Sequence, residues 1–264
     1  MTLVVSEASS HGIVMVGDSA VTVKQLGMGD AVNPGAVKVQ YSCKANVGFA
    51  MWGNAMIGVK RLDSWIDEFI HSSIDDGDDI GSIGERLAAR LAKELQQMQK
   101  PWKELVLGIH IAGYKDGLPR LWHIHCGHEG EPEHEPRLHR DLPDDSHLSD
   151  DEWREILSQD TPHVRNGYWQ IYARLYDALN NHYINSLSCL NIKLPKETLK
   201  GHLEFQKLLA KFVAGTLIAA EEHPGVNDEL SCIAFTEDGL KIDERLQLGR
   251  IPALTSGTRL MFAG

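Results

Sequence analysis

Thr2-Leu3-Val4-Val5, Ser9-Ser10-His11-Gly12 and Ile13-Val14-Met15-Val16-Gly17-Asp18-Ser19 read as a strand, a polar turn and a second strand that ends on an acid. Thr2 stands directly behind Met1. Removal of Met1 would leave one residue carrying both a hydroxyl and a free α-amine, a nucleophile and a base together.

A chain of 264 residues is long enough to bury one large core, and the expectation is a single domain over residues 1–264. Hydrophobic residues make up 42% and charged residues 24%, ordinary for a globular chain. No apolar run reaches membrane-spanning length, and the N-terminus lacks the basic and long apolar blocks of a secretory signal, so the expected compartment is the cytoplasm. A net charge of −11 repels phosphates and argues against a nucleic-acid partner. Cys43, Cys126, Cys189 and Cys232 are scattered, which predicts buried free thiols rather than a disulfide framework.

Beyond the first two strands, a Gly-containing loop over 27–35 leads to strand candidates at 36–41 and 47–53. Ile57, Leu62, Trp65, Ile66 and Phe69 then form a helical stripe. Asp75 to Asp79 make an acidic linker, and Ser82 with Glu85 has the form of a capping box. Ile83, Leu87, Leu91, Leu95 and Met98 continue at helical spacing, with Pro101 as the stop. Strands follow at 105–114 and 118–125, helices at 168–183 and 199–220, and a last strand pair at 230–236 and 240–243; 186–193 is ambiguous. Residues 128–163, rich in Glu, Asp, His and Pro, read as a charged surface insertion with one short helix. The order suggests two helices laid over a mostly antiparallel sheet, twice.

With these pieces in order, the chain resembles a bacterial proteasome β-type subunit, an N-terminal nucleophile hydrolase. The resemblance rests on Thr2-Leu3-Val4-Val5, Val14-Met15-Val16-Gly17-Asp18-Ser19-Ala20-Val21-Thr22, Val37-Lys38-Val39, the hairpin from Ile111 to Trp122, and Ile233-Ala234-Phe235-Thr236-Glu237-Asp238-Gly239. It spans the chain except 128–163. It implies an α+β fold, a four-layer αββα sandwich of two antiparallel sheets flanked by helices. It also implies a threonine-type peptidase working in a self-compartmentalising homo-oligomeric ring or stacked rings on peptide or unfolded-protein substrates, with no cofactor. The chain has no nucleotide-binding loop, so an ATP-driven unfoldase would be a separate partner.

The resemblance assigns the catalytic roles. Thr2 is the nucleophile. Its α-amine, with an ordinary pKa of about 7.7–8.0, accepts the hydroxyl proton. Lys38 lies beside the hydroxyl and favours its alkoxide-like form, and Asp18 holds the lysine. The oxyanion is met by a backbone N–H, assigned to Gly53 where the strand 47–53 runs straight into the helix, with Gly48 as the second candidate. The family also supports its threonine with a serine in a Gly-Ser-Gly stretch. The corresponding His163-Val164-Arg165-Asn166-Gly167 has none. Near the family's late acid and serine stand Glu222, His223 and Asn227 instead.

Two further readings stay open. One is a non-peptidase amide hydrolase on the same fold, and the other is an inactive ring scaffold. Separately, His123, His125, Cys126, His128, His134 and His139 cluster in sequence. In a strand His123 and His125 share a face and could grip a metal, but the spacing matches no structural zinc pattern, and polar residues entering a solvated loop are the simpler reading.

Overall fold

The structure is a computed structural model that describes residues 2–25, 29–33, 35–98, 106–126, 135–142, 149–159, 162–167, 169–178, 198–219 and 226–245. Two five-stranded antiparallel sheets face each other. The first carries β1 (Leu3–Ser9), β2 (Gly12–Asp18), β12 (His163–Gly167), β13 (Leu230–Thr236) and β14 (Gly239–Glu244), in the order β12-β1-β2-β13-β14. The second carries β5 (Val39–Ser42), β6 (Val47–Gly53), β9 (Leu107–Lys115), β10 (Leu118–His125) and β11 (Arg137–Leu142), in the order β11-β10-β9-β6-β5. Two small hairpins, β3 (Val21–Gln25) with β4 (Gly29–Asn33) and β7 (Met56–Ile57) with β8 (Lys60–Arg61), complete the strands described.

Strand alternation sorts side chains into three cores. Leu3, Val5, Val14 and Val16 face outward against helices α4 (Trp169–Ala178) and α5 (Leu199–Ala219). Val4, Ala8, Ile13 and Met15 face inward and meet Val39, Ala50, Trp52 and Ala112 of the opposite sheet. Phe49, Met51, Ile109, Ile111, Trp122 and Ile124 cover the other face of that sheet and pack under α1 (Leu62–Ser73) and α2 (Ile80–Gln97). The layer order is therefore helix, sheet, sheet, helix. Among the described residues, no helix is long and apolar enough to cross a membrane.

Several expectations are corrected. The region expected as a loop over 27–35 holds β4, paired with β3. The strand at 47–53 does not run straight into a helix, because the β7–β8 hairpin intervenes and Ile57 belongs to it. Helix α2 is capped by Asp79, whose Oδ1 accepts the N–H of Gly81 (2.8 Å) and Ser82 (3.0 Å), one turn before the expected Ser82–Glu85 box. Cys43 is exposed, while Cys126 and Cys232 are buried, and Cys189 lies outside the described residues. Within 128–163, β11 joins the sheet edge beside β10, and helix α3 (Asp150–Gln159) drives Trp153 fully into the inter-sheet core. That stretch is thus not purely a surface excursion. The indole N–H of Trp153, bonded to Pro119 O at 2.9 Å, lets the ring be buried without an orphaned donor.

One buried acid ties a helix to the first sheet. Glu7 faces outward from β1, is 1% exposed, and accepts from His202 Nδ1 (2.7 Å) and from Gln206 Nε2, one turn apart on α5. Glu7→Ala strands both partners in the interior. It is expected to cost about 2–4 kcal/mol, read from the midpoint of urea unfolding at unchanged slope.

Candidate active site

Thr2, Asp18 and Lys38 converge at the open end of the inter-sheet layer. Thr2 precedes β1 and shares the inward parity of Val4, which aims it at the second sheet. Asp18 closes β2 and is fully buried. Its Oδ1 accepts the backbone N–H of Leu3 (2.8 Å), and its Oδ2 accepts that of Ala20 (3.0 Å). The same Oδ1 pairs with Lys38 Nζ at 2.8 Å. Lys38 Nζ also donates to Thr2 Oγ1 at 3.2 Å. One carboxylate therefore fixes both the cation and the peptide group next to the threonine. Gly17 helps the approach, since a Cβ there would stand only 3.2 Å from Lys38 Cβ.

Burial removes water from Lys38 and lowers its pKa below the ordinary 10.5, with Asp18 acting in the opposite direction. A second acid steadies the segment. Asp63 is buried at the start of α1 and accepts Val37 N–H (3.1 Å) and Arg61 Nε (3.0 Å), and it faces Lys38 electrostatically. Ser19 O accepts Gly35 N–H (3.1 Å) and Ala36 N–H (2.8 Å), so the chain entering Lys38 is anchored to the residue after Asp18.

A cavity of about 120 Å³ opens beside the threonine. Thr2, Lys38, Trp52, Gly53, Arg61 and Asp63 are among its lining residues. Gly53 has φ +85°, and a Cβ there would lie 2.4 Å from Val106 O, so the position is closed to a side chain. Gly48 does not line the cavity; a Cβ there would meet Met15 Sδ at 2.5 Å between the sheets.

The other residues singled out lie elsewhere. Asn227 Oδ1 accepts Ser19 N–H (3.0 Å), Asn227 Nδ2 donates to Ser19 Oγ (2.7 Å), and Glu229 Oε2 lies 3.2 Å from that hydroxyl. This network braces Asp18 from behind and does not reach Thr2. Glu222, His223, His128 and His134 lie outside the described residues. His123 and His125 do share a face, as alternation predicts, but the face is the buried inter-sheet one. Cys126 points to the opposite face, where burial pushes its thiol up to about 12. Among the described residues, no three His, Cys, Asp or Glu side chains converge as a metal site. Sequence reading passed over Asp63, Arg61 and Glu229. None sits in a motif, and each is brought in by a helix start or a strand start.

No family model and no curated protein matches the chain. Solved structures do. A Gly-1 mutant of Anbu from Hyphomicrobium sp. strain MC1 superposes with a TM-score of 0.58 at 11% identity, covering 94% of this chain and 88% of that one. The chain shares the fold of Anbu. A second Anbu structure from that organism gives 0.54 at 14% identity, covering 94% and 88%. Anbu from Yersinia bercovieri, described as an ancestral beta-subunit, gives 0.56 at 11%, covering 95% and 88%. The likeness to Anbu extends over nearly the whole chain and is one of fold.

Proposed function

We propose that the chain is a threonine-type peptidase subunit whose nucleophile is Thr2 once Met1 has been removed. The observation that carries this reading is the position of Lys38 Nζ, 3.2 Å from Thr2 Oγ1 and 2.8 Å from Asp18, at the wall of a cavity. The fold shared with Anbu supports it. The Thr2 α-amine takes the hydroxyl proton as Oγ1 attacks an amide carbonyl. The oxyanion is met by the Gly53 N–H, a kind of donor whose loss typically costs about 10²–10³ in rate. The amine passes its proton to the leaving nitrogen, and water then hydrolyses the ester. Ala20, Ala36, Met51 and Trp52 give the cavity an apolar wall beside its polar one, and Arg61 is already paired with Asp63, so an uncharged side chain that packs on that wall is the preferred occupant. The subunits assemble with one another into a ring that encloses the site.

A small-amide hydrolase is the second reading. The segment that lacks the supporting serine favours it: Asn166 turns to His110, with Oδ1 2.6 Å from Nε2, rather than to Thr2. Intact mass tests both readings. Purified protein is expected to lack Met1 and to gain the mass of a peptide epoxyketone or β-lactone on Thr2. No adduct would remove both enzyme readings. Cleavage of fluorogenic peptides against small amides then separates the two.

A further inference from the structure

Between the sheets, next to the Thr2 cavity, lies a polar cluster that the proposed chemistry does not use. His110, His123 and His125 are each 3% exposed or less. His123 pairs with His110 of β9 on one side and with His139 of β11 on the other. The indole of Trp52 leans from β6 across β9 to reach this cluster, and its Nε1 donates to His123 Nε2 at 2.8 Å. The path is open because residue 108, the register partner of Trp52, is glycine. A Cβ at Gly108 would lie 2.4 Å from Trp52 Nε1. The ring is thus held twice, by a missing side chain beneath it and by an acceptor at its far edge.

The chemistry of that bond is one-directional. An indole N–H only donates. His123 Nε2 must therefore offer a lone pair, which places the ring's proton on Nδ1 and keeps it neutral. Three further imidazoles stand close among the described residues. His110 stands edge-on at 5.0 Å, His125 of the same strand lies at 4.7 Å, and His139 stacks on His125 at 4.0 Å. A positive charge on any one of these imidazoles disfavours a charge on His123.

Resting on the peptidase reading of Thr2, we propose that His123 is a positioning residue for the substrate cavity. As the neutral Nδ1–H tautomer it holds the Trp52 ring in the wall that faces the threonine. Trp52 lines the cavity together with Thr2, Lys38 and Gly53. The backbone at Trp52 and Gly53 is held independently by pairing with Gly108 and Leu107. Loss of the ring's anchor therefore falls on the wall, which binds the acyl side chain, and not on the Gly53 N–H, which meets the oxyanion.

The experiment combines indole NMR with inactivation kinetics on the full chain, using a peptide epoxyketone with a bulky apolar side chain next to the warhead. The Trp52 Nε1–H resonance is the one lost in Trp52→Phe. It is expected at a bonded, downfield position in wild type. His123→Gln, whose amide oxygen can accept, keeps it there, and His123→Leu shifts it upfield. The inactivation constant KI is expected to rise about tenfold in His123→Leu, to return towards wild type in His123→Gln, and to rise in Gly108→Ala, with the limiting rate unchanged throughout. An unshifted Trp52 resonance in His123→Leu, or a shifted resonance with unchanged KI, would overturn the proposal. So would a loss in limiting rate with KI unchanged. If His123→Leu does not fold, an upfield resonance in folded His123→Gln together with unchanged KI in Gly108→Ala does the same. Absence of any adduct in wild type sinks the peptidase reading instead, and the resonance alone then decides whether His123 holds the ring.

Discussion

Thr2→Ala is expected to abolish covalent labelling by a peptide epoxyketone or β-lactone, a fall of about 10⁴-fold or more in acylation rate, while the protein stays folded. The two halves of that expectation have different origins. The hydroxyl is the only atom removed that could attack a carbonyl at this end of the sandwich, and neither Asp18 nor Lys38 can replace it. Asp18 is fully buried with both oxygens engaged, and the Lys38 amine is committed to it. Structurally, Thr2 Oγ1 accepts one bond from Lys38, at 3.2 Å, and Lys38 keeps its shorter contact with Asp18 when that bond is lost. The cost in stability should therefore stay within about 1 kcal/mol. A mass-spectrometric time course paired with urea unfolding reads both quantities. Labelling of the alanine variant at another residue would show that the nucleophile lies elsewhere. Thr2→Ser, which keeps the oxygen and the α-amine, should remain labelled.

The same residues show why part of the site was legible in the sequence. Alternation gives Thr2 the parity of Val4, but from the residues alone an acid after an apolar strand reads most simply as a turn residue, and a lysine between valines as the solvent face of a strand. It is the resemblance to proteasome β-type subunits that names Thr2, Asp18 and Lys38 together, and the structure brings the three within hydrogen-bonding distance. What alternation cannot report is what stands opposite. His123 and His125 were placed on one face correctly, and what stands opposite His123 is the indole N–H of Trp52, from another strand. Glu7 lies hidden in an apolar strand, and its partners His202 and Gln206 sit far along the chain at helical spacing. The β7–β8 hairpin is too short to carry a period, so Ile57 was absorbed into the following helix. Trp153 is surrounded by acids in sequence, and only the fold shows that its one apolar face closes the inter-sheet core.

The lysine–carboxylate pair yields the most discriminating result, because its effects on stability and on chemistry carry opposite signs with pH. Lys38→Met leaves Asp18 buried with only the Leu3 and Ala20 N–H groups, and is expected to cost about 3–5 kcal/mol. It also removes the cation beside Thr2 Oγ1, with a loss of about 10³-fold in acylation. Adding Asp18→Asn, which removes the stranded charge, should restore much of the stability and none of the rate. In wild type, burial lowers the Lys38 pKa below 10.5. Between that lowered value and 10.5 the unfolded chain holds a proton that the folded one has released. Lys38 then makes stability rise with pH across this window, and its cost is greatest below the folded value. Acylation moves the other way. It rises as the α-amine loses its proton, then falls as Lys38 deprotonates, before pH 10.5 is reached. Measuring the labelling rate and the unfolding midpoint over the same alkaline range should show the two curves crossing in wild type. In Lys38→Met the Lys38-dependent slopes of both should disappear. A wild-type labelling rate that keeps climbing through pH 10.5 would show that the charge on Lys38 plays no part in activating Thr2.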